Sequence, residues 1–573
     1  MEFINKTLGE WMEHIASVYP DKEAIVFEDK ITVNKGTDKE YSYPLNYRKT
    51  YLELNREIEI YARAFYKLGI RRGDKVAIWA TNYPQWLLTL FASARIGAWL
   101  VTVNTAYKIH DAEYLLRQSD TKMLVMCDGF KDISYVDIVN RLCSIDENTD
   151  RTNVTSKRLP FLEKIVTIDT AVYPGMYNWA ELAEMANTLT AEEEEGYAAS
   201  KASCDKDDVV NMQYTSGTTG FPKGVMLTHF NILNNGKTIG DRMKFTEKDR
   251  LCVTVPLFHC FGLVLATMAS ITHGTTLVLV NYYSPIKVLN TLQREKCTAI
   301  HGVPTMFIAM LEHPEFKTVR GSGFSLRTGI MAGSPCPIKT MQDVVDQMNM
   351  TEITIVYGQT EASPGCTQTT TDDPIERRVN TVGRNFPGVE TKIVDPETGK
   401  TLPAGKIGEF CARGYNVMKG YYKMPEATAQ VIDKDGWLHT GDLACCDEEG
   451  YYKITGRIKD MIIRGGENIY PKEIEDFIYT HPKVSDVQVV GVPSKAYGEE
   501  VMAFIIPKKG ETVTEEEIKS YVRDNLAKYK TPSYVMTIDA FPMNAAGKIL
   551  KYKLREMAID TLKLQEAASI VTA

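Results

Sequence analysis

The run Tyr214-Thr215-Ser216-Gly217-Thr218-Thr219-Gly220-Phe221-Pro222-Lys223-Gly224 gathers side chains suited to holding an anion. Its glycines let the backbone turn amide N–H groups toward a negative charge. Thr215, Ser216, Thr218 and Thr219 add hydroxyl donors, and Lys223 adds a compact positive charge. The preceding VVNMQY predicts a strand that leads into the loop. The spacing is GxxGxxK with Gly224 after the lysine, whereas a Walker A loop needs GxxxxGK followed by Ser or Thr. A flexible Ser/Thr/Gly linker is the competing reading, and Pro-Lys-Gly directly behind a strand argues against it.

The loop resembles the signature loop of the adenylate-forming enzymes, a superfamily of acyl-CoA synthetases, firefly luciferases and peptide-synthetase adenylation domains. Further segments match in the expected order as far as Lys548, so the resemblance covers nearly the whole chain. It implies that Thr215 to Lys223 hold the β- and γ-phosphates of ATP. In Tyr357-Gly358-Gln359-Thr360-Glu361 it implies an aromatic stacked on adenine, a threonine on the α-phosphate and a glutamate that helps hold Mg²⁺. A carboxylate beside a triphosphate is otherwise repelled, and a bridging hard cation makes the placement favourable. Gly333-Ser334-Pro335 would border adenine and the acyl pocket, the glycine permitting close approach of a flat ring. Asp442 of Thr440-Gly441-Asp442 and Arg457 of GRIKD would bind the ribose hydroxyls. Lys548 would contact the carboxylate substrate and ATP oxygens, where a positioned ammonium stabilises shifting charge. Lys459, followed by Asp460, matches the family hinge about which a small domain rotates between half-reactions. Gly465 and Gly466 would leave room for the pantetheine arm of coenzyme A.

Pro256-Leu257-Phe258-His259-Cys260-Phe261-Gly262 matches the aromatic and histidine segment near the carboxylate pocket. His259 is a candidate to orient the carboxylate, to gate the thiol, or simply to pack in the wall. Amino-acid-activating relatives place an aspartate here, so His259 disfavours an ammonium-bearing substrate. Phe258, Val303, Met306 and Met331 are candidates for the acyl pocket or for ordinary core. No carrier domain follows Lys548, which favours a small acceptor, coenzyme A. GGENIYPKEIE and SPGCTQTTTDDPIERRVNTVGR most resemble medium-chain fatty acyl-CoA synthetases. The expected reaction forms an acyl-AMP from acid and MgATP, then a CoA thioester with release of AMP. The alternatives are an aryl or bile-acid ligase, a non-CoA acceptor, or a non-catalytic nucleotide-binding protein. A coenzyme A 3′-phosphate would fall near Arg464, Lys472 or Lys530 by charge and position alone.

Positioning these groups needs an α/β frame. Strands are predicted at Val76–Ala80, Met123–Cys127, Ile165–Ile168, Val209–Tyr214, Thr276–Val280 and Ile353–Tyr357. Tyr51–Leu68 reads as a helix, with Leu54, Ile58, Tyr61 and Phe65 on one face and Gly69 as its stop. Alternation of this kind predicts layered sheets with much parallel pairing. The expected architecture is a large nucleotide- and acyl-binding domain, residues 1–458, and a small mobile α+β domain, residues 459–573. Within the latter, Val487–Val492 and Val501–Ile506 read as strands and Glu515–Leu526 as a helix. A chain of 573 residues is too long for one core. Its net charge of −8 argues against a nucleic-acid partner. The 11 cysteines form no CxxC pair, so free thiols and a cytoplasmic setting are expected. The apolar Leu87–Val103 stretch, broken by Arg95, reads as a buried helix. The acidic run Ala191–Gly196 reads as a solvated helix or loop. Partners are confined to the acid, ATP and coenzyme A, and a homo-oligomer is compatible with the sequence.

Overall fold

Runs of β-branched residues bounded by amphipathic segments bury as sheet strands with helices laid on their faces. A computed structural model describes residues 2–568 of this chain, except 36, 216–221, 322, 334, 335, 337, 465, 466, 495, 496, 527 and 544–548. Packing divides the chain into two units, 1–390 with 412–438, and 391–411 with 439–573. The hinge expected at Lys459 concerns motion rather than packing and remains a proposal. Lys459 itself is exposed in the short 3-10 turn Ile458–Asp460.

The first unit holds two large sheets. One runs Glu352–Thr354, Thr328–Met331, Ala299–Gly302, Arg250–Val253, Thr276–Leu279, Glu23–Val33 and Tyr41–Thr50, parallel until its final hairpin. The other contains the parallel strands Trp99–Thr102, Lys75–Trp79, Thr121–Met126 and Lys164–Thr167. Val209–Thr215 joins it in parallel, then Lys223–Thr228 and Gly420–Tyr421 turn antiparallel. The Ser/Thr/Gly-rich run therefore lies between the two strands where the sheet changes direction. The predicted strand Ile353–Tyr357 is in fact two, Glu352–Thr354 and Val356–Gly358, in different sheets. The chain changes sheets at Ile355, which sets the end of the second strand apart to carry Thr360 and Glu361.

Helix Tyr51–Lys67 forms as expected. The Thr50 side chain accepts the Glu53 N–H and Glu53 accepts the Thr50 N–H, so two otherwise orphaned amides are satisfied. Leu54, Ile58 and Phe65 are buried, and Tyr61 packs its ring 4.4 Å from Trp179. Gly69 ends it at φ +91°. The Leu87–Val103 expectation is corrected. Helix Pro84–Arg95 stops, Gly97 turns at φ +74°, and Trp99–Thr102 is a strand. Arg95 is buried but bonded to Glu59 at 3.0 Å, which is how a charge fits inside this apolar stretch. The acidic run opens helix Ala191–Ala202, where Glu193 and Glu194 pair with Lys67 and Arg63.

In the second unit, Val389–Val394, Gly408–Gly414, Leu438–Cys446 and Tyr452–Arg457 form a four-stranded sheet. A further sheet centres on Val484–Ser494 and Gly498–Pro507. Val487, Val489, Val501, Ala503 and Ile505 pack one way with Ile474, Ile478, Ile518 and Val522. Val490, Val492, Met502 and Phe504 pack the other way with Leu554 and Ala558. Burial on both faces explains why these strands read as continuous apolar runs. Among the described residues, no helix is long and apolar enough to cross a membrane.

Candidate nucleotide site

In the first unit, Thr215 and Lys223 face each other as the last antiparallel pair before the loop. Ser216, Gly217, Thr218, Thr219, Gly220 and Phe221 lie outside the described residues. Pro222 is described, and its carbonyl accepts the Tyr114 hydroxyl at 3.0 Å. The Lys223 ammonium stands 5.0 Å from the centre of the Tyr421 ring. The Tyr421 hydroxyl donates to Glu361 Oε1 at 2.8 Å. Tyr421 was not legible as a site residue, since only the pairing of Val225 with Tyr421 brings a distant strand beside the loop.

Glu361 follows Thr360 in the 3-10 turn Thr360–Ala362. This turn ends strand Val356–Gly358, which carries Tyr357. Gly358 is required here. A Cβ would meet the Pro364 carbonyl oxygen at 1.7 Å, and the Gln359 N–H donates to that same oxygen at 3.0 Å. Met418 N–H fixes the Glu361 carbonyl at 2.9 Å. Thr360 is buried, and its hydroxyl lies 3.7 Å from Cys260 Sγ. A single half-buried carboxylate beside hydroxyls is a donor set that fits Mg²⁺, which keeps waters and substrate phosphates as its other ligands.

Cys260 thereby joins the His259 segment to the Thr360 turn. Burial pushes its thiol up to about 12, so it packs rather than reacts. His259 Nδ1 accepts the Phe261 N–H at 3.2 Å. In the neutral ring this leaves the proton on Nε2. Gly262 admits the chain where a Cβ would meet the Pro256 oxygen at 2.3 Å. Among the apolar candidates, Met331 is wholly buried in a core cluster with Phe307 and Met310. Phe258 is buried, and Val303 and Met306 are half-buried. Gly333 takes φ +87° and would bring a Cβ within 3.1 Å of Val303; Ser334 and Pro335 lie outside the described residues.

In the second unit, Asp442 and Arg457 are a cross-strand pair. Asp442 Oδ1 lies 3.0 Å from Arg457 Nε, and the aspartate is buried. The structure brings these two residues together. Gly465, Gly466 and Lys548 lie outside the described residues. Arg464, Lys472 and Lys530 are each ion-paired, with Glu500, Asp476 and Glu473 respectively.

Comparison with known proteins gives a family for this arrangement. Residues 12–422 match the family described as AMP-binding enzyme, and residues 473–548 match the AMP-binding enzyme C-terminal domain. YngI of Bacillus subtilis (strain 168), a candidate acyl-CoA synthetase, is 49% identical over 99% of this chain and 100% of its own. The medium-chain acyl-CoA ligase ACSF2, mitochondrial, of Rattus norvegicus is 38% identical over 98% of this chain and 89% of its own. The crystal structure of ATP-bound MatB from Rhodopseudomonas palustris superposes with a TM-score of 0.80 at 30% identity, covering 97% of this chain and 100% of that one.

Proposed function

We propose a reaction for this chain, which belongs to the AMP-binding enzyme family and is an AMP-forming acyl-CoA ligase. A medium-chain fatty acid attacks ATP at the α-phosphorus, forming acyl-AMP and expelling pyrophosphate. The coenzyme A thiolate then attacks the carbonyl of the mixed anhydride, forming the thioester and releasing AMP. One observation carries the reading: a loop lysine, a tyrosine and a carboxylate form one linked cluster, and a buried threonine hydroxyl precedes that carboxylate in the same turn. Phosphoryl and nucleotidyl transfer need little covalent chemistry from protein, only positioning and charge stabilisation.

Within that cluster Lys223, with the loop from Thr215, takes the β- and γ-phosphates. Thr360 takes the α-phosphate, and Tyr357, with Gly358 and Gln359, takes the adenine side. Glu361 would hold Mg²⁺, which neutralises charge on the phosphates when bound. Asp442 and Arg457 take the ribose hydroxyls. Lys548 is assigned the first step only, and Lys459, Gly465 and Gly466 the second. His259, whose segment reaches the Thr360 turn through Cys260, is assigned to orient the carboxylate. The medium-chain acid is supported by the apolar Phe258, Val303 and Met306 and by the likeness to ACSF2.

A pool of straight-chain, aryl and steroid acids with ATP, Mg²⁺ and coenzyme A, analysed by mass spectrometry, tests the substrate. Thioesters of roughly six- to twelve-carbon acids should dominate; an aryl thioester in their place would overturn the assignment of substrate.

A further inference from the structure

We propose that Glu409 is a positioning residue for the nucleotide, holding the turn that presents Asp442. The inference rests on the reading of Asp442 and Arg457 as ribose ligands. Glu409 lies in strand Gly408–Gly414 and is only 9% exposed. A carboxylate so buried must be matched by donors. Both of its oxygens are used on the same turn. Oε1 accepts the Gly441 N–H at 2.9 Å, and Oε2 lies 2.8 Å from His439 Nδ1. The Thr440 hydroxyl donates to the Phe410 carbonyl at 2.6 Å and accepts the Asp442 N–H at 3.1 Å. Residues 439 to 441 are thus fastened to the neighbouring strand one after another, Glu409 supplying two of the fastenings, and Thr440 in turn holds the Asp442 N–H.

Gly441 shows why such fastening is needed. It sits at φ +70°, a conformation glycine adopts without strain but also leaves easily. Without Glu409 the turn has to be ordered when the ribose binds, and that cost is subtracted from affinity. Bidentate acceptance from two hydroxyls tolerates little misplacement, so the loss falls on nucleotide binding.

Glu409, Cys411 and His439 also have ligand atoms within 4.8 Å of one another, a spacing that invites a metal reading. The detail favours hydrogen bonding. Glu409 and Cys411 approach the same ring nitrogen, at 2.8 and 3.5 Å, and the first is an ordinary N–H···O length. A Cys–His–Glu nucleophile is disfavoured on the same ground, because a relay needs its partners on opposite nitrogens.

The test compares Glu409→Ala, Glu409→Gln, Glu409→Asp and Asp442→Ala in the full chain. It measures KM for ATP, kcat and calorimetric AMP binding. Glu409→Ala should raise KM for ATP and weaken AMP roughly tenfold, the equivalent of one unsatisfied buried hydrogen-bond group, with kcat little changed. Glutamine keeps an acceptor for Gly441, and its amide N–H can serve Nδ1 once the imidazole proton sits on Nε2, so Glu409→Gln should restore most of the affinity. Aspartate is too short to span both partners, so Glu409→Asp should behave like alanine and serves if alanine does not fold. Wild-type KM and AMP affinity in Glu409→Ala or Glu409→Asp, with Asp442→Ala impaired, would overturn the inference alone. A fall in kcat or melting temperature with KM unchanged would overturn it too. Wild-type nucleotide affinity in Asp442→Ala would overturn the ribose reading, and the positioning role with it.

Discussion

Lys223 opens the strand that follows the Ser/Thr/Gly loop, and its proposed contact with the ATP phosphates gives the sharpest prediction for a single residue. Replacing it with alanine removes a charge-assisted contact worth about 1.5–3 kcal/mol. The expected outcome is a fall in kcat/KM for ATP of roughly tenfold to a hundredfold. Unchanged circular dichroism would show that the fold is kept, while an unchanged kcat/KM would contradict the assignment. Lys223 stands out in the sequence because hydroxyls, glycines and a lysine cluster within one short run, whereas Thr360, Glu361, Asp442 and Arg457 stand out only through the family resemblance. Tyr421, Cys260 and Glu409 do not stand out. Each acts through a residue far away in sequence: Tyr421 on Glu361, Cys260 on Thr360, Glu409 on Gly441. Such pairings exist only once strands are placed, and no spacing announces them.

At the scale of the element, Gly358 is where backbone, rather than side chain, determines the site. Gly358→Ala would drive a Cβ to 1.7 Å from the Pro364 carbonyl oxygen, and neither a backbone oxygen nor a Cβ fixed to its own backbone can swing aside. The expected cost is about 2 kcal/mol or more, in the range of overpacked cores. Activity should fall further than stability, because the displaced strand end carries Thr360 and Glu361. Urea unfolding with parallel pyrophosphate assays checks both. Element type was legible wherever periodicity was long, as in Tyr51–Lys67. It failed at Leu87–Val103, where a buried helix and a buried strand are both apolar throughout and periodicity cannot separate them. Gly97, the turn between them, was the overlooked stop signal.

At the scale of the molecule, a buried aspartate beside a half-buried one ties stability to pH. Asp128 and Asp169 follow adjacent parallel strands, Thr121–Met126 and Lys164–Thr167. The Asp128 N–H donates to Asp169 Oδ2 at 2.6 Å, and Asp169 is 1% exposed. Burial first, and the neighbouring Asp128 second, push its carboxyl up to about 8. The folded state therefore holds a proton that the unfolded chain releases near pH 4. The stability this proton confers is complete below that pH and is lost as pH rises toward 8. Asp169→Asn keeps an acceptor for the Asp128 N–H and removes the titration. It should flatten this part of the melting curve against pH and raise the melting temperature at pH 8. An equal pH dependence in both proteins would contradict the account. The pair was not legible in the sequence, where each aspartate is an ordinary residue after a strand.

Acid activation and thioester formation are proposed as separate steps joined by an acyl-adenylate. A single-turnover reaction of enzyme with ATP, Mg²⁺ and decanoate, quenched with and without coenzyme A, tests this directly. The account predicts pyrophosphate and enzyme-bound decanoyl-AMP without coenzyme A, and decanoyl-CoA with stoichiometric AMP once it is added. Formation of ADP, or AMP release at the same rate whether or not coenzyme A is present, would contradict it.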